Sequence, residues 1–212
     1  MKCLLLTLPR HDPVTHYFYA YSEAILREAE KRGWNTEKCE GKGLARKEIE
    51  SRLSAHRSSL AVFNGHGSNS TVEGNKDETI LDPQNAHLLA NVTAFVRACS
   101  SLVELGPLAV AKGCKAFIGY RRRFWFASTD GYMSRPLNDP IAQPVLETSN
   151  IVPLALLKGS TVDEAVEASH AAALKHALRL AGSSDPLQIE AFKYLMLNDA
   201  ALAYEGNGNA AP

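Results

Sequence analysis

Two side chains form a pair able to do nucleophilic chemistry: His66, set between Gly65 and Gly67, and Cys99, followed by Ser100 and Ser101. A thiolate attacks a carbonyl carbon, and a nearby imidazole carries a proton to the leaving group. Flanking glycines let the chain turn sharply and leave an amide N–H able to meet a developing oxyanion. Each feature alone is weak, because a lone cysteine is more often a small buried hydrophobe than a nucleophile. The pair gains force from where the surrounding sequence puts it.

Both residues follow short apolar runs that read as buried strands, Ser59–Asn64 before His66 and Val92–Ala98 before Cys99. They lie 33 positions apart (99 − 66), the length of one crossover. Consecutive strands of a parallel sheet usually neighbour each other, and ligands bind beyond their carboxyl ends. Both side chains are therefore expected on one edge of the sheet.

The remaining elements fit that frame. Cys3–Leu8 and Lys115–Tyr120 read as further strands, and Asn35–Glu40 as an edge strand. Thr15–Arg32, with Gly33 beyond it, and Leu44–His56 have helical spacing. A short helix is expected at Pro83–Leu89. Strands alternating with helices predict an α/β fold, a mostly parallel sheet with helices on both faces. The 212 residues fit one domain with a helical C-terminal part at about 151–205. There Thr161 and Glu164 have capping-box spacing, and Asp185-Pro186 opens a last helix running to about Tyr204. Residues 128–149, rich in Pro, Asp and Asn, read as a long exposed loop open to nicking, and 206–212 as a disordered tail.

Composition removes several functions. Twenty-three basic and 23 acidic residues cancel, so bulk charge favours neither nucleic acid nor an anionic membrane. No apolar run is long enough for a membrane span or a signal-peptide core. Cys3, Cys39, Cys99 and Cys114 lack metal-ligand spacing, which predicts reduced thiols in a cytoplasmic protein and no metal site. Arg121-Arg122-Arg123-Phe124-Trp125-Phe126 is one short basic–aromatic run; a substrate cleft border explains it better than a nucleic-acid contact. Gly41-Lys42-Gly43 lacks the spacing of a phosphate-binding loop.

Asn64-Gly65-His66-Gly67, Val96-Arg97-Ala98-Cys99-Ser100 and the run Ala111–Tyr120 together resemble the caspase-like superfamily of cysteine peptidases, over roughly the first 120 residues. The superfamily includes caspases, metacaspases, legumain, gingipains and CHAT proteases. The resemblance implies a three-layer caspase-like sandwich. It implies His66 and Cys99 as the catalytic pair, the N–H groups of Gly67 and Cys99 as the oxyanion hole, and a protein or peptide substrate. No cofactor is implied, although some relatives use calcium, for which Asp77, Glu78 and Asp82 are the acidic loop here. A bacterial signalling or defence role, with an upstream activator or a homo-oligomer, is the expected setting. The competing reading is a catalytically silent signalling or scaffold module. In the resembling family the residue two before the nucleophile lines the specificity pocket. Arg97 holds that place and Arg10 a second one, which implies a preference for acidic residues before the cut. Arg121 and Trp125 are the remaining expected substrate contacts.

Overall fold

In the computed structural model the described residues are 2–55, 58–76 and 78–212. Six strands form one sheet in the order β2-β1-β3-β6-β7-β8. They are β1 (Cys3–Thr7), β2 (Asn35–Cys39), β3 (Leu60–Asn64), β6 (Thr93–Arg97), β7 (Ala116–Tyr120) and β8 (Leu202–Gly206). All neighbours pair parallel except β7 and β8, which are antiparallel. A hairpin of β4 (Val72–Glu73) and β5 (Thr79–Leu81) stands apart from the sheet.

Why these runs become strands follows from their burial. Every residue of β1, β3, β6 and β7 is buried, so the runs are mainly apolar rather than alternating, with polar Thr7, Asn64, Thr93 and Arg97 buried at strand ends. Leu4, Leu6, Leu60, Val62 and Phe95 face a core closed by α1 (Pro13–Lys31), α4 (Ala142–Leu157), α5 (Val162–Leu180) and α6 (Pro186–Asp199). Leu5, Ala61, Phe63, Ala94 and Val96 face the opposite core, under α2 (Arg46–Ser54), α3 (Leu105–Ala111) and the hairpin. Helix, sheet and helix make three layers, the expected α/β sandwich.

Three C-terminal expectations need correction. Ala142–Leu157 is helix α4, so the stretch without regular structure ends well before Ser149. Pro144 does not break the helix, because it sits in the first turn, where a missing N–H costs nothing. Helix α6 stops at Asp199, and Leu202–Gly206 becomes edge strand β8, with Arg121 N–H donating to Ala201 O as pairing begins. Residues 206–212 are not a loose tail. The N–H groups of Val162 and Asp163, orphan donors at the start of α5, donate to Ala210 O at 3.0 Å and Gly208 O at 2.9 Å. His56 and Asp77 lie outside the described residues, and with Asp77 part of the calcium expectation. Among the described residues no helix is long and apolar enough to cross a membrane.

Candidate active site

Strand register brings the pair together. Asn64 and Arg97 stand opposite each other at the ends of β3 and β6, and the ladder continues with Gly65 N–H donating to Arg97 O at 3.3 Å. His66 and Cys99 each lie two residues beyond that pair. Buried Asn64 ties in the next strand: its backbone N–H donates to Thr7 Oγ1 at 2.7 Å and its Nδ2 to Thr7 O at 3.0 Å. The loops after β1, β3 and β6 therefore leave one edge side by side.

Close packing explains the two glycines around His66. A Cβ at Gly65 would overlap the Glu73 carbonyl, and one at Gly67 would lie 2.6 Å from Thr71 O and 3.0 Å from the Ala98 side chain. The β4–β5 hairpin thus presses on the histidine loop, and only glycine allows the approach. Beyond Cys99 the chain turns at once, with Ser100 at a φ of 54° and its N–H donating to Arg122 O at 3.0 Å. Among the described residues the backbone N–H groups of Gly67 and Cys99 donate to no protein acceptor. Buried Ser101 pins the turn, its hydroxyl donating to Val96 O and accepting from Tyr120 N–H, each at 3.4 Å.

His66 has a partner that the sequence reading missed. Its Nε2 lies 2.7 Å from Oδ2 of Asp12, in the loop after β1. Asp12 is also the N-cap of α1, its Oδ1 accepting from Thr15 N–H at 2.8 Å. Burial alone would raise the Asp12 carboxyl. The Thr15 N–H and the His66 contact outweigh it and hold the group below the ordinary carboxylate range. An ionised carboxyl only accepts, so His66 Nε2–H is the donor and Nδ1 keeps the basic lone pair. Asp12-Pro13 is a legible helix start, but nothing local shows that this cap also orients a histidine 54 residues away.

His66, Cys99, Gly65 and Gly67 line a cleft of about 290 Å³. Its other walls are Val14, Phe18, Ala98, Arg123, Phe124 and Phe126. Cys99 is half-buried, its thiol 3.9 Å from Phe124 O, whereas Cys3, Cys39 and Cys114 are buried. Helix α3 does not aim its start at the thiol: the N–H groups of Glu104 and Leu105 donate to Asn69 O.

None of the four expected substrate contacts lines this cleft. Arg97 is 0% exposed, with Nε donating to Ser149 Oγ at 2.9 Å and Nη2 to Asn150 Oδ1 at 2.5 Å. Its guanidinium lies 5.5 Å from the Phe18 ring centre, behind the wall of the cleft rather than in it. The expectation failed because strand alternation turns Arg97 toward α1 and α4, which cover it completely. Arg10 lies 5.0 Å from the Tyr19 ring and borders a separate hollow with His11 and Glu40. Arg121 pairs with Glu205 at 3.0 Å. Trp125 is 38% exposed and stacks on Tyr194, while its N–H and carbonyl are both bonded by Asn198. The segment does border the cleft, but through Arg123, Phe124 and Phe126. Asp82 and Glu78 are engaged by Arg46, whose Nη1 and Nη2 lie 2.5 and 3.0 Å from the Asp82 oxygens.

The mostly parallel sheet with helices on both faces defines the fold class, a three-layer α/β sandwich with a histidine loop and a cysteine loop on one edge. Two solved structures carry that comparison. One is the Arg-specific cysteine proteinase gingipain R (RGPB), similar at a TM-score of 0.62 and 14% identity over 98% of this chain and 46% of that one. The other is the complex of Porphyromonas gingivalis RgpB pro- and mature domains, at 0.61 and 13% over 98% and 47%. The chain spans about half the length of these proteins, and at such identity the likeness establishes the fold alone. No family model and no curated protein matches the chain.

Proposed function

We propose that the protein is a cysteine endopeptidase. The observation that carries this reading is the placement of His66 and Cys99 in one cleft, each two residues past the paired ends of β3 and β6, with Asp12 fixing the imidazole. Cys99 passes its proton to His66 Nδ1 and attacks the scissile carbonyl. The N–H groups of Gly67 and Cys99 receive the oxyanion. His66 then protonates the leaving amine, and water, deprotonated by the same nitrogen, releases the acyl group. Asp12 stays ionised and steadies the imidazolium. This scheme needs no cofactor, and the free thiols of Cys39, Cys99 and Cys114 suit a reducing, cytoplasmic setting.

The walls of the cleft support a substrate class other than the acidic one. Phe18, Phe124, Phe126 and Val14 offer apolar surface, and among the described residues no carboxylate lines the cleft to receive a basic side chain. Among the described residues Arg123 is the one Lys or Arg lining it, and its guanidinium lies 5.0 Å from the Trp125 ring. A bulky apolar residue before the cut buries most surface in such a pocket. Peptide-library profiling with Cys99→Ala as control tests both halves. Cleavage dependent on Cys99, before which Phe, Leu or Met is enriched, is the expected result. A preference for Asp or Glu would restore the acidic reading. Absence of labelling by a thiol-reactive peptide probe would favour the silent module.

A further inference from the structure

The histidine–aspartate contact at the active site includes a third ligating side chain that the peptidase scheme does not use. His11, Asp12 and His66 place one ligand atom each within 4.8 Å of one another. Both imidazoles face the same oxygen, with Nε2 of His66 2.7 Å and Nε2 of His11 3.2 Å from Asp12 Oδ2. The rings meet edge to face, 6.2 Å apart at 71°. His11 is near the carboxylate without being aligned to it, so both of its ring nitrogens are buried and neither makes a hydrogen bond. Buried nitrogens left in that state cost free energy, and a ligand that occupied one would recover it. The far oxygen, Oδ1, is held by Thr15 N–H at 2.8 Å and Thr15 Oγ1 at 3.0 Å. Asp12 is therefore oriented by its own second partner, as metal-ligating carboxylates commonly are, and presents Oδ2 alone.

We propose that His11, Asp12 and His66 form a site for a divalent transition metal, zinc above all, and that its occupation switches the cysteine–histidine pair off. Two imidazoles and one carboxylate oxygen suit a borderline cation, whereas calcium and magnesium demand more oxygen ligands. Three protein ligands leave a fourth position to water. Binding forms bonds from Asp12 Oδ2, a His11 ring nitrogen and His66 Nε2 to the metal, which sheds water in exchange. His66 Nε2 must first lose its proton, and solvent returns one to Nδ1. The ring then carries hydrogen on the nitrogen that has to be bare to accept the Cys99 proton. Metal and catalysis compete for the two tautomers of one histidine. The inhibitory consequence rests on the peptidase reading; metal binding does not.

Titration calorimetry with ZnCl2 at fixed neutral pH tests the site on the intact protein, and CoCl2 gives a spectroscopic check. One zinc per chain with micromolar affinity is expected, on the order of 1 μM. His11→Ala and His66→Ala should each weaken it at least about tenfold, or 1.4 kcal/mol, whereas Cys99→Ala leaves it within about twofold. His11→Asn, which keeps a polar side chain, should weaken it as His11→Ala does, separating lost ligation from lost folding. The cobalt complex should show no thiolate charge-transfer band. Unchanged affinity in both His11 variants, a band that disappears in Cys99→Ala, or no binding at about 100 μM zinc would each overturn the proposal. If zinc binds as described and no peptide is ever cleaved, the site stands and the peptidase reading falls.

Discussion

Asp12 performs two tasks with its two oxygens: Oδ1 caps helix α1 through Thr15 N–H at 2.8 Å, and Oδ2 holds His66 Nε2 at 2.7 Å. This division makes Asp12→Asn informative. The amide oxygen is drawn to the Thr15 N–H, which turns the amide NH2 toward His66 and forces the proton onto Nδ1. Helix capping is preserved while the base is disabled. Steady-state kinetics should show kcat reduced by about 10² to 10⁴ with little change in KM. Asp12→Ala should add a capping loss of about 1 kcal/mol. An Asn variant with wild-type kcat would remove Asp12 from the mechanism.

The thiols are separable by burial. Cys39 is pushed up to about 11 and Cys114 to about 12, chiefly by desolvation, so neither supplies thiolate near neutrality. Cys99, half-buried at the cleft, is the accessible one. Labelling of the native protein at neutral pH should consume one thiol per chain and fall to zero in Cys99→Ala. That variant and His66→Ala should lose turnover while unfolding within about 2 kcal/mol of wild type. A second fast-reacting thiol would contradict the assignment.

The sheet and the paired loops were legible because their signals are local and strong. Continuous apolar runs mark strands covered on both faces, and Gly65 and Gly67 mark a loop that a hairpin presses upon. The rest depended on contacts remote in sequence. Asp12 meets His66 across 54 residues. Leu202–Gly206 looks helical until Tyr120 and Ile118 offer it a ladder. Arg97 reads as a pocket residue by the family resemblance, since nothing in its neighbours announces that Ser149 and Asn150 will enclose it.

The C-terminal segment is expected to stabilise the fold. Deleting residues 207–212 removes the acceptors of Val162 and Asp163 N–H at the start of α5. Water replaces only part of what is lost, because Ala210 is buried against the same core as α5. A loss of about 1–3 kcal/mol in denaturant unfolding is expected. Unchanged stability would return the segment to the status of a tail.

Arg97 separates structure from specificity. Burial pushes its guanidinium down to about 10, with the Tyr120 and Tyr21 hydroxyls opposing the shift, and it remains charged at neutral pH. Its fork is held by Ser149 and Asn150, and among the described residues no carboxylate hydrogen-bonds it. Arg97→Ala opens a cavity beneath Phe18 and strands both polar partners, a loss of about 3 kcal/mol or more. Arg97→Met fills most of the volume and strands the same partners, so its loss should be smaller. Replacing a buried ionic group by an apolar one of similar size is often close to neutral. Because the guanidinium lies behind the cleft wall, the residue preferred before the cut should be the same in Arg97→Met as in wild type. A library profile that shifts in Arg97→Met would show that its charge is felt by the substrate through the Phe18 ring.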